Sequence, residues 1–444
     1  MRIMTPLPLI ALFFCLIISN ANAQETKSFT LDEAINYAMT NSTTVQNAMM
    51  NIEDADQQIV ERRSIGLPQV SGQVNYQYFY KVPVVLLPQA FAPNAPREDR
   101  EVSFQLRHNF NAGITLNSLI FDGSYLVGLR AAKLYREYVN QDLISKKQEV
   151  KTSVADAYLP SLIISESITM LDKNLANIEN LLEETKALYK EGFVEQLDVD
   201  RLELSKANLV SQRENLTRQR QLAIDALKFT ISYPIDQELT VADNINALLI
   251  EATDEDLTKA MSYYDRPEYK VAETGIRLNE LNVEQFRAGY LPNVVGFISF
   301  TQGFQGDELN TDIGFWAPQG VVGATINIPI YDGGDKKAKI QRAKIQLATA
   351  KNQVRDLERL IDLQVANARG NYLNARDRVA NQQKNLDLAE QIYETTQIKY
   401  KEGVGSSLEI SNAEQSLYQS QQNYTQALYD LLVAKTELNK ALGK

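Results

Sequence analysis

The chain has 444 residues, 44% of them hydrophobic, and carries 45 Lys and Arg against 56 Asp and Glu, a formal net charge of −11. So acidic a chain is a poor binder of nucleic acid. One histidine (His108) and one cysteine (Cys15) leave too little for a catalytic triad, a thiolate nucleophile or a zinc site, so the sequence reads as a non-enzyme with no cofactor and no metal.

Residues 1–23 have the pattern of an export signal. Arg2 is the charged end, Leu7 to Ile18 the apolar stretch, and Ala21-Asn22-Ala23 a small-residue cleavage site before Gln24. Cys15 lies inside the apolar stretch, so it is poorly placed for lipidation, and the mature chain has no cysteine. Cleavage also removes Arg2 and no acid, leaving the chain one unit more acidic. An exported protein without disulfides depends on packing or assembly for stability. No later stretch has the roughly 20 consecutive apolar residues of a membrane helix, but a β-barrel could still cross a membrane.

A helix is expected from "DEAINYAMTN" at Asp32. After "LPQV" at Leu67 a strand follows, with Val70, Val74, Tyr76, Tyr78 and Tyr80 on one face and Ser71, Gln73, Asn75 and Gln77 on the other. A second, longer strand is expected from Val102, with Phe104, Leu106, Phe110, Ile114 and Leu116 opposite Ser103, Gln105, Arg107, Asn109, Asn111, Thr115 and Asn117. His108 falls on the apolar row beside Arg107 and is read as loop-proximal or interfacial, with no function assigned. After "FDG" at Phe121 helical composition runs from Ser124 to about Leu188, and Pro160 is expected to kink this helix or end a segment of it. "YKEG" from Tyr189 then places Gly192 just past the helix end, where a left-handed residue is wanted, and a second helix returns antiparallel. Pro, Asp and Asn in "YPIDQELTVADN" interrupt the helical pattern between Tyr233 and Thr253.

From there the order repeats. "EDLTKAMSYY" at Glu255 resembles the first helix, and "LPNVVGFISFTQ" at Leu291 opens a third strand with Val294, Ile298, Phe300 and Phe304 on one face. A fourth carries Val322, Ala324, Ile326 and Ile328 into "YDGG". The long helix from about Lys336 to Ile398 steps its apolar residues by seven through Tyr372, Val379, Leu386, Tyr393 and Tyr400, beside Leu347, Val354, Ile361, Ala368 and Ala375, as a coiled coil does. At about 1.5 Å per residue each long helix would run roughly 95 Å. "YKEG" returns at Tyr400, with Gly403 at the turn. The organisation expected is a signal at 1–23, a first repeat at 24–232 with its tip near 189–197, an inter-repeat segment at 233–253, and a second repeat at 254–444 with its tip near 400–407.

Two readings fit the strands: a soluble sandwich whose apolar face is a core, or membrane strands, with aromatics at their ends and an Asn- and Gln-rich face toward a lumen. Four strands are too few to close a membrane barrel, for which eight is the usual minimum. Membrane strands would therefore require several chains to share one barrel.

The doubled order, the "LP" before a strand, "FDG" and "YDGG" after one, the Arg266-Pro267-Glu268 helix start and the two glycine tips together resemble the TolC family of outer-membrane efflux proteins. The resemblance implies a mainly α fold with a membrane β-barrel. Three chains, each giving four strands, would form a twelve-stranded barrel in the lipid of the bacterial outer membrane, above a helical α-barrel in the periplasm. It implies a passive exit duct of a tripartite efflux or type I secretion system, docking with a periplasmic adaptor protein and an inner-membrane pump or secretion transporter. Gly192, Phe193, Val194, Gly403 and Val404 match the family's adaptor-facing tips, although the glycines would cap their helices in any case. Glu409 and Asn412 match positions where some relatives place a double acidic ring at the pore entrance, with Asn here at the second position. Glu409 also stands at capping-box spacing from Ser406, so its carboxylate could instead serve the helix start. Asp198, its first-repeat counterpart, would hold neighbouring coils shut. The alternatives are a periplasmic adaptor, which usually carries one hairpin rather than two, and a structural periplasmic coiled coil, which leaves the strands unexplained.

Overall fold

The computed structural model describes residues 27–91, 93–94, 96–249, 257–258, 260–309 and 314–444. The expected export signal lies outside them, as do Glu255, Asp256 and Lys259 of the helix expected from Glu255; of the rest of that stretch only Leu257 and Thr258 are helical, and residues 260–262 are irregular before a 3-10 turn at Tyr263–Asp265. In chain order come β1 (Lys27–Phe29), α1 (Leu31–Asn41), α2 (Thr43–Ile65), β2 (Gln69–Tyr78), the short strands β3 (Val85–Leu86) and β4 (Glu101–Val102), β5 (His108–Phe121), α3 (Gly123–Lys190), α4 (Gln196–Ile231) and β6 (Leu239–Val241). After a helical turn at Ile245–Leu248 follow α5 (Pro267–Ala288), β7 (Asn293–Gly306), β8 (Phe315–Asn327), α6 (Asp335–Lys401) and α7 (Ser407–Ala441). Two compact units result, each drawing on both repeats. Among the described residues, one joins those within Met1–Ser42, Ser153–Glu251 and Arg378–Val433; the other joins those within Thr43–Thr152, Ala252–Asp377 and Ala434–Lys444.

The second unit contains one antiparallel sheet in the order β2-β5-β7-β8, so the two repeats pair through β5 and β7. Its register aligns the sequence alternation across all four strands. Val70, Leu116, Ile298 and Val322 form one cross-strand row, and Tyr76, Phe110, Phe304 and Trp316 another on the same face. The opposite face carries rows such as Gln73, Gly113, Thr301 and Gln319, with Thr115 and Ser299 hydroxyls 3.1 Å apart. The apolar face is not a core: Val70 is 67% and Val322 78% exposed, and Val74, Ile298 and Phe300 are exposed with them. His108 sits on this face at the start of β5, with Nδ1 2.7 Å from the Tyr76 hydroxyl and its ring 4.9 Å from that of Tyr78.

The strand expected from Val102 starts later. Glu101–Val102 pairs with Val85–Leu86 as a separate short ladder, and the long strand begins at His108 and continues to Phe121. The alternation before His108 runs through a loop in which Ser103 Oγ donates to the carbonyls of Pro83 and Gln105 and accepts from Gln105 N–H. Such local bonds compete with strand pairing.

Pro160 does not end α3, a single 68-residue helix. The residues around it are pinned by packing. Tyr158 is fully buried and donates from its hydroxyl to the Phe29 carbonyl at 2.9 Å, while Ser161 Oγ donates to the Tyr158 carbonyl at 2.7 Å. Buried Leu159 and Leu162 add contacts that outweigh the ~3 kcal/mol propensity cost of an internal proline. One window of α3 is apolar enough to cross a membrane by length and composition alone, and 44% of it is buried within the chain.

In the first unit, β1 and β6 pair in parallel, so the segment between the repeats is stitched to the start of the chain. Thr30 caps α1 with Glu33 in a reciprocal capping box, and Phe29, Tyr37 and Tyr233 cluster with ring centres 5.5 to 5.8 Å apart. The heptad reading of α6 is realised: Val354, Ile361, Ala368, Tyr372, Ala375, Leu386, Tyr393 and Tyr400 are buried, and Val379 and Leu347 half-buried. Four helices share the first unit's core, with Leu171, Ile178, Leu181 and Leu182 from α3, Val199, Leu202 and Leu209 from α4, Leu386 and Ala389 from α6, and Ile410 and Leu417 from α7. The Arg266-Pro267-Glu268 start opens α5 with proline in its first turn. Arg266, itself buried, reaches Ala441 O at 2.9 Å and Gln364 at 3.0 Å, fixing the C-terminal end within the second unit.

Candidate functional site at the hairpin tips

The two YKEG segments build the same helix end. Gly192 N–H donates to Tyr189 O at 3.0 Å and Phe193 N–H to Leu188 O at 3.0 Å; Gly403 N–H donates to Tyr400 O at 3.1 Å and Val404 N–H to Lys399 O at 3.0 Å. These paired bonds make a Schellman motif, whose glycine takes a left-handed conformation, and φ is +81° at Gly192 and +74° at Gly403. A Cβ at either glycine would touch nothing within 4 Å, so the requirement comes from the backbone and not from crowding. Beyond each glycine stands an apolar side chain in water, Phe193 and Val404, each 77% exposed. Val194 beside Phe193 is half-buried. The tips differ one turn back: Tyr189 is exposed, whereas Tyr400 is buried with its hydroxyl 3.4 Å from Thr185 Oγ1.

Asp198 and Glu409 occupy equivalent places and do different work. Asp198 Oδ2 accepts from Glu195 N–H at 3.1 Å in a reciprocal capping box, while Oδ1 accepts a short bond from Ser407 Oγ at the start of the other return helix. Arg201 Nη1 donates to the same Ser407 oxygen at 2.8 Å, so α4 holds the first turn of α7 through one serine. At Glu409 only half of a capping box forms. Its N–H donates to Ser406 Oγ at 3.2 Å, but its carboxylate is exposed and makes no bond back to Ser406 N–H, unlike that of Glu33 at α1. Asn412, one turn along, is exposed on the same side of α7. The opposite stripe of the helix is buried and consists of Ile410, Ala413, Glu414 and Leu417.

Sequence reasoning missed Glu414, Ser407 and Arg201. Glu414 is 2% exposed; Oε2 accepts from Ser205 Oγ at 3.3 Å, and Oε1 has no partner. Burial pushes its carboxyl up to about 7, the Ser205 bond pulling slightly the other way. The signal was available: an acid standing four residues after Ile410 and three before Leu417, on the apolar stripe itself.

A family model described as outer membrane efflux protein matches residues 34–231 and 264–444. The outer membrane efflux protein BepC of Brucella suis is 22% identical over 422 residues, covering 95% of this chain and 87% of the relative. The alkaline protease secretion protein AprF of Pseudomonas aeruginosa is 20% identical over 356 residues, covering 78% and 71%. Among solved structures, CusC matches with a TM-score of 0.74 at 16% identity, over 94% of this chain and 92% of that one. The open-state MtrE outer membrane channel of Neisseria gonorrhoeae matches at 0.72 and 20% identity, over 93% and 88%. These structural likenesses speak to the fold.

Proposed function

The chain belongs to the outer membrane efflux protein family, and on that premise we propose that three copies assemble into a passive exit duct through the outer membrane and into the periplasm. The observation that carries this reading is the four-stranded sheet. One face is apolar and exposed, the other is rich in Asn, Gln, Ser and Thr on β2 and β5 and carries Phe297 and Val321 among its polar groups on β7 and β8, and the outer sides of β2 and β8 pair with no further strand among the described residues. Lipid suits the first face and a water-filled lumen the second. Two open edges of unsatisfied backbone are untenable in a bilayer, and three sheets joined edge to edge make a closed barrel of twelve strands, within the even-numbered range of such proteins.

The long helices continue from the strands through the Asp-Gly junctions, with Asp332 accepting from Gly334 and Lys336 N–H groups to start α6. Their return hairpins end in the exposed Phe193 and Val404, which suit a periplasmic adaptor protein that buries them. An inner-membrane pump or secretion transporter would then supply the energy, since the duct itself breaks no bond. Within the trimer, Glu409 and Asn412 become rings of three at the entrance, and the Asp198–Ser407–Arg201 contact holds adjoining coils together. The names of the relatives cover both efflux and protein secretion, two uses for which one passive duct suffices. Extraction and light scattering test the reading: it requires a detergent-dependent assembly of three chains from the outer membrane, and a carbonate-soluble monomer would overturn it.

A further inference from the structure

Glu414 is an acid without a counter-charge inside an apolar four-helix core. Facing it are Ser205 of α4, which gives its one hydrogen bond, and Tyr393 of α6, whose buried hydroxyl has no partner either. From α3 the core receives Leu171, Ile178, Leu181 and Leu182, none of them charged, and along α7 itself the next polar group on the stripe is the half-buried Tyr418. Toward the tip, Asp198 and Arg201 are already engaged with Ser407. A neutral carboxyl tolerates such a place; an ionised one, with a single hydroxyl donor and one bare oxygen, does not.

We infer that Glu414 is a protonation switch: its neutral form keeps α7 packed on α4 and α6 just behind the hairpin tip, and its ionised form loosens the segment Ser407–Leu417. Burial places the change near neutrality, with the carboxyl at about 7. Neither phenol can supply a compensating charge, since an ionised phenol is itself an anion and burial keeps both Tyr393 and Tyr418 neutral through that range. The loosened segment contains Glu409 and Asn412, so the geometry of any opening they line would follow pH. The inference goes beyond the exit-duct reading and rests only on helix packing within one chain.

Hydrogen exchange of the 407–418 amides in the full-length assembled protein tests it, between about pH 5.5 and 9, with rates corrected for the intrinsic base catalysis of exchange. The opening constant of wild type should rise by up to tenfold per pH unit from the acidic end of this window up to the transition and level off above it, where the open and closed forms are both ionised. Glu414→Gln should remove the rise. Ser205→Ala, a small change that deletes the one donor favouring the anion, should move the transition to higher pH. A flat wild-type profile, a slope that survives in Glu414→Gln, or a transition unmoved by Ser205→Ala would each overturn the switch. Should Glu414→Gln not assemble, the wild-type slope and the Ser205→Ala shift decide the matter.

Discussion

Replacing Gly192 or Gly403 isolates a pure backbone cost. A side chain at φ +81° or +74° incurs the penalty of left-handed geometry, about 1–2 kcal/mol for an L residue. Nothing lies within 4 Å of the added Cβ, so no clash adds to it. Alanine also lowers the entropy of the unfolded chain, which returns about 0.4–1 kcal/mol. The net loss for Gly→Ala is therefore about 1 kcal/mol at each tip, more for Val and less for Asn, which tolerates the conformation better. Because the Phe193 and Val404 amides close the motif, their exchange protection is the local assay, and about 1 kcal/mol should cost them roughly fivefold. Gly405 is a contrasting control: a Cβ there would stand 3.1–3.3 Å from Tyr400 N and Lys399 atoms of the last helical turn, so its penalty is steric. Transport is the second assay, and Gly192→Val or Gly403→Val should abolish export while leaving trimer and membrane insertion intact. Unchanged protection at Phe193 and Val404, or normal export with the adaptor still crosslinking at the tips, would refute the reasoning.

At the entrance, Glu409→Gln should lower cation selectivity and multivalent-cation block in planar bilayers while Asn412→Asp raises both, because three like charges around a narrow opening reinforce one another; a change confined to thermal stability would return Glu409 to a capping role. On the sheet, Ile298→Lys on the apolar face should cost about 2–4 kcal/mol in a bilayer and abolish heat-modifiable assembly, whereas Ser299→Lys on the polar face should be tolerated, and equal effects would contradict the assignment of faces. Glu414 also sets a pH dependence of overall stability. Its folded value of about 7 lies above the ordinary 4.5, so the stability it contributes is fully present below pH 4.5 and is lost as pH rises through 7, about 3 kcal/mol by linkage. The denaturation midpoint of wild type should fall over that window relative to Glu414→Gln, and parallel profiles would refute it.

The doubled order, the tip glycines and the face of each strand were legible because each rests on a local rule: a left-handed helix end, a period of two, a period of seven. The cross-strand row of Val70, Leu116, Ile298 and Val322 is that period of two seen in register. What failed depended on distant partners. Alternation before His108 continued into a loop because Ser103 bonds Pro83 across it, and nothing in the local sequence announces that bond. Pro160 stays helical because Tyr158 is anchored to Phe29, more than a hundred residues away. Asp198 and Glu409 look equivalent in sequence, yet only Asp198 is drawn into a contact, since Ser407 and Arg201 come together only when the hairpins pack.

The most direct test of the account is inter-chain disulfide formation between β2 and β8. The sequence has one cysteine, Cys15, inside the expected signal, so a cysteine at Ser71 combined in turn with one at Gln319, Val321 or Gly323 reports only on introduced thiols. Within one chain β2 and β8 are separated by β5 and β7, which leaves a neighbouring copy as the partner. The account predicts at least one pair that oxidises in the outer membrane to a covalent trimer on denaturing gels, dissociated by reductant. A chain that stays monomeric at every pair, while still folded and inserted, would contradict a barrel closed by three copies.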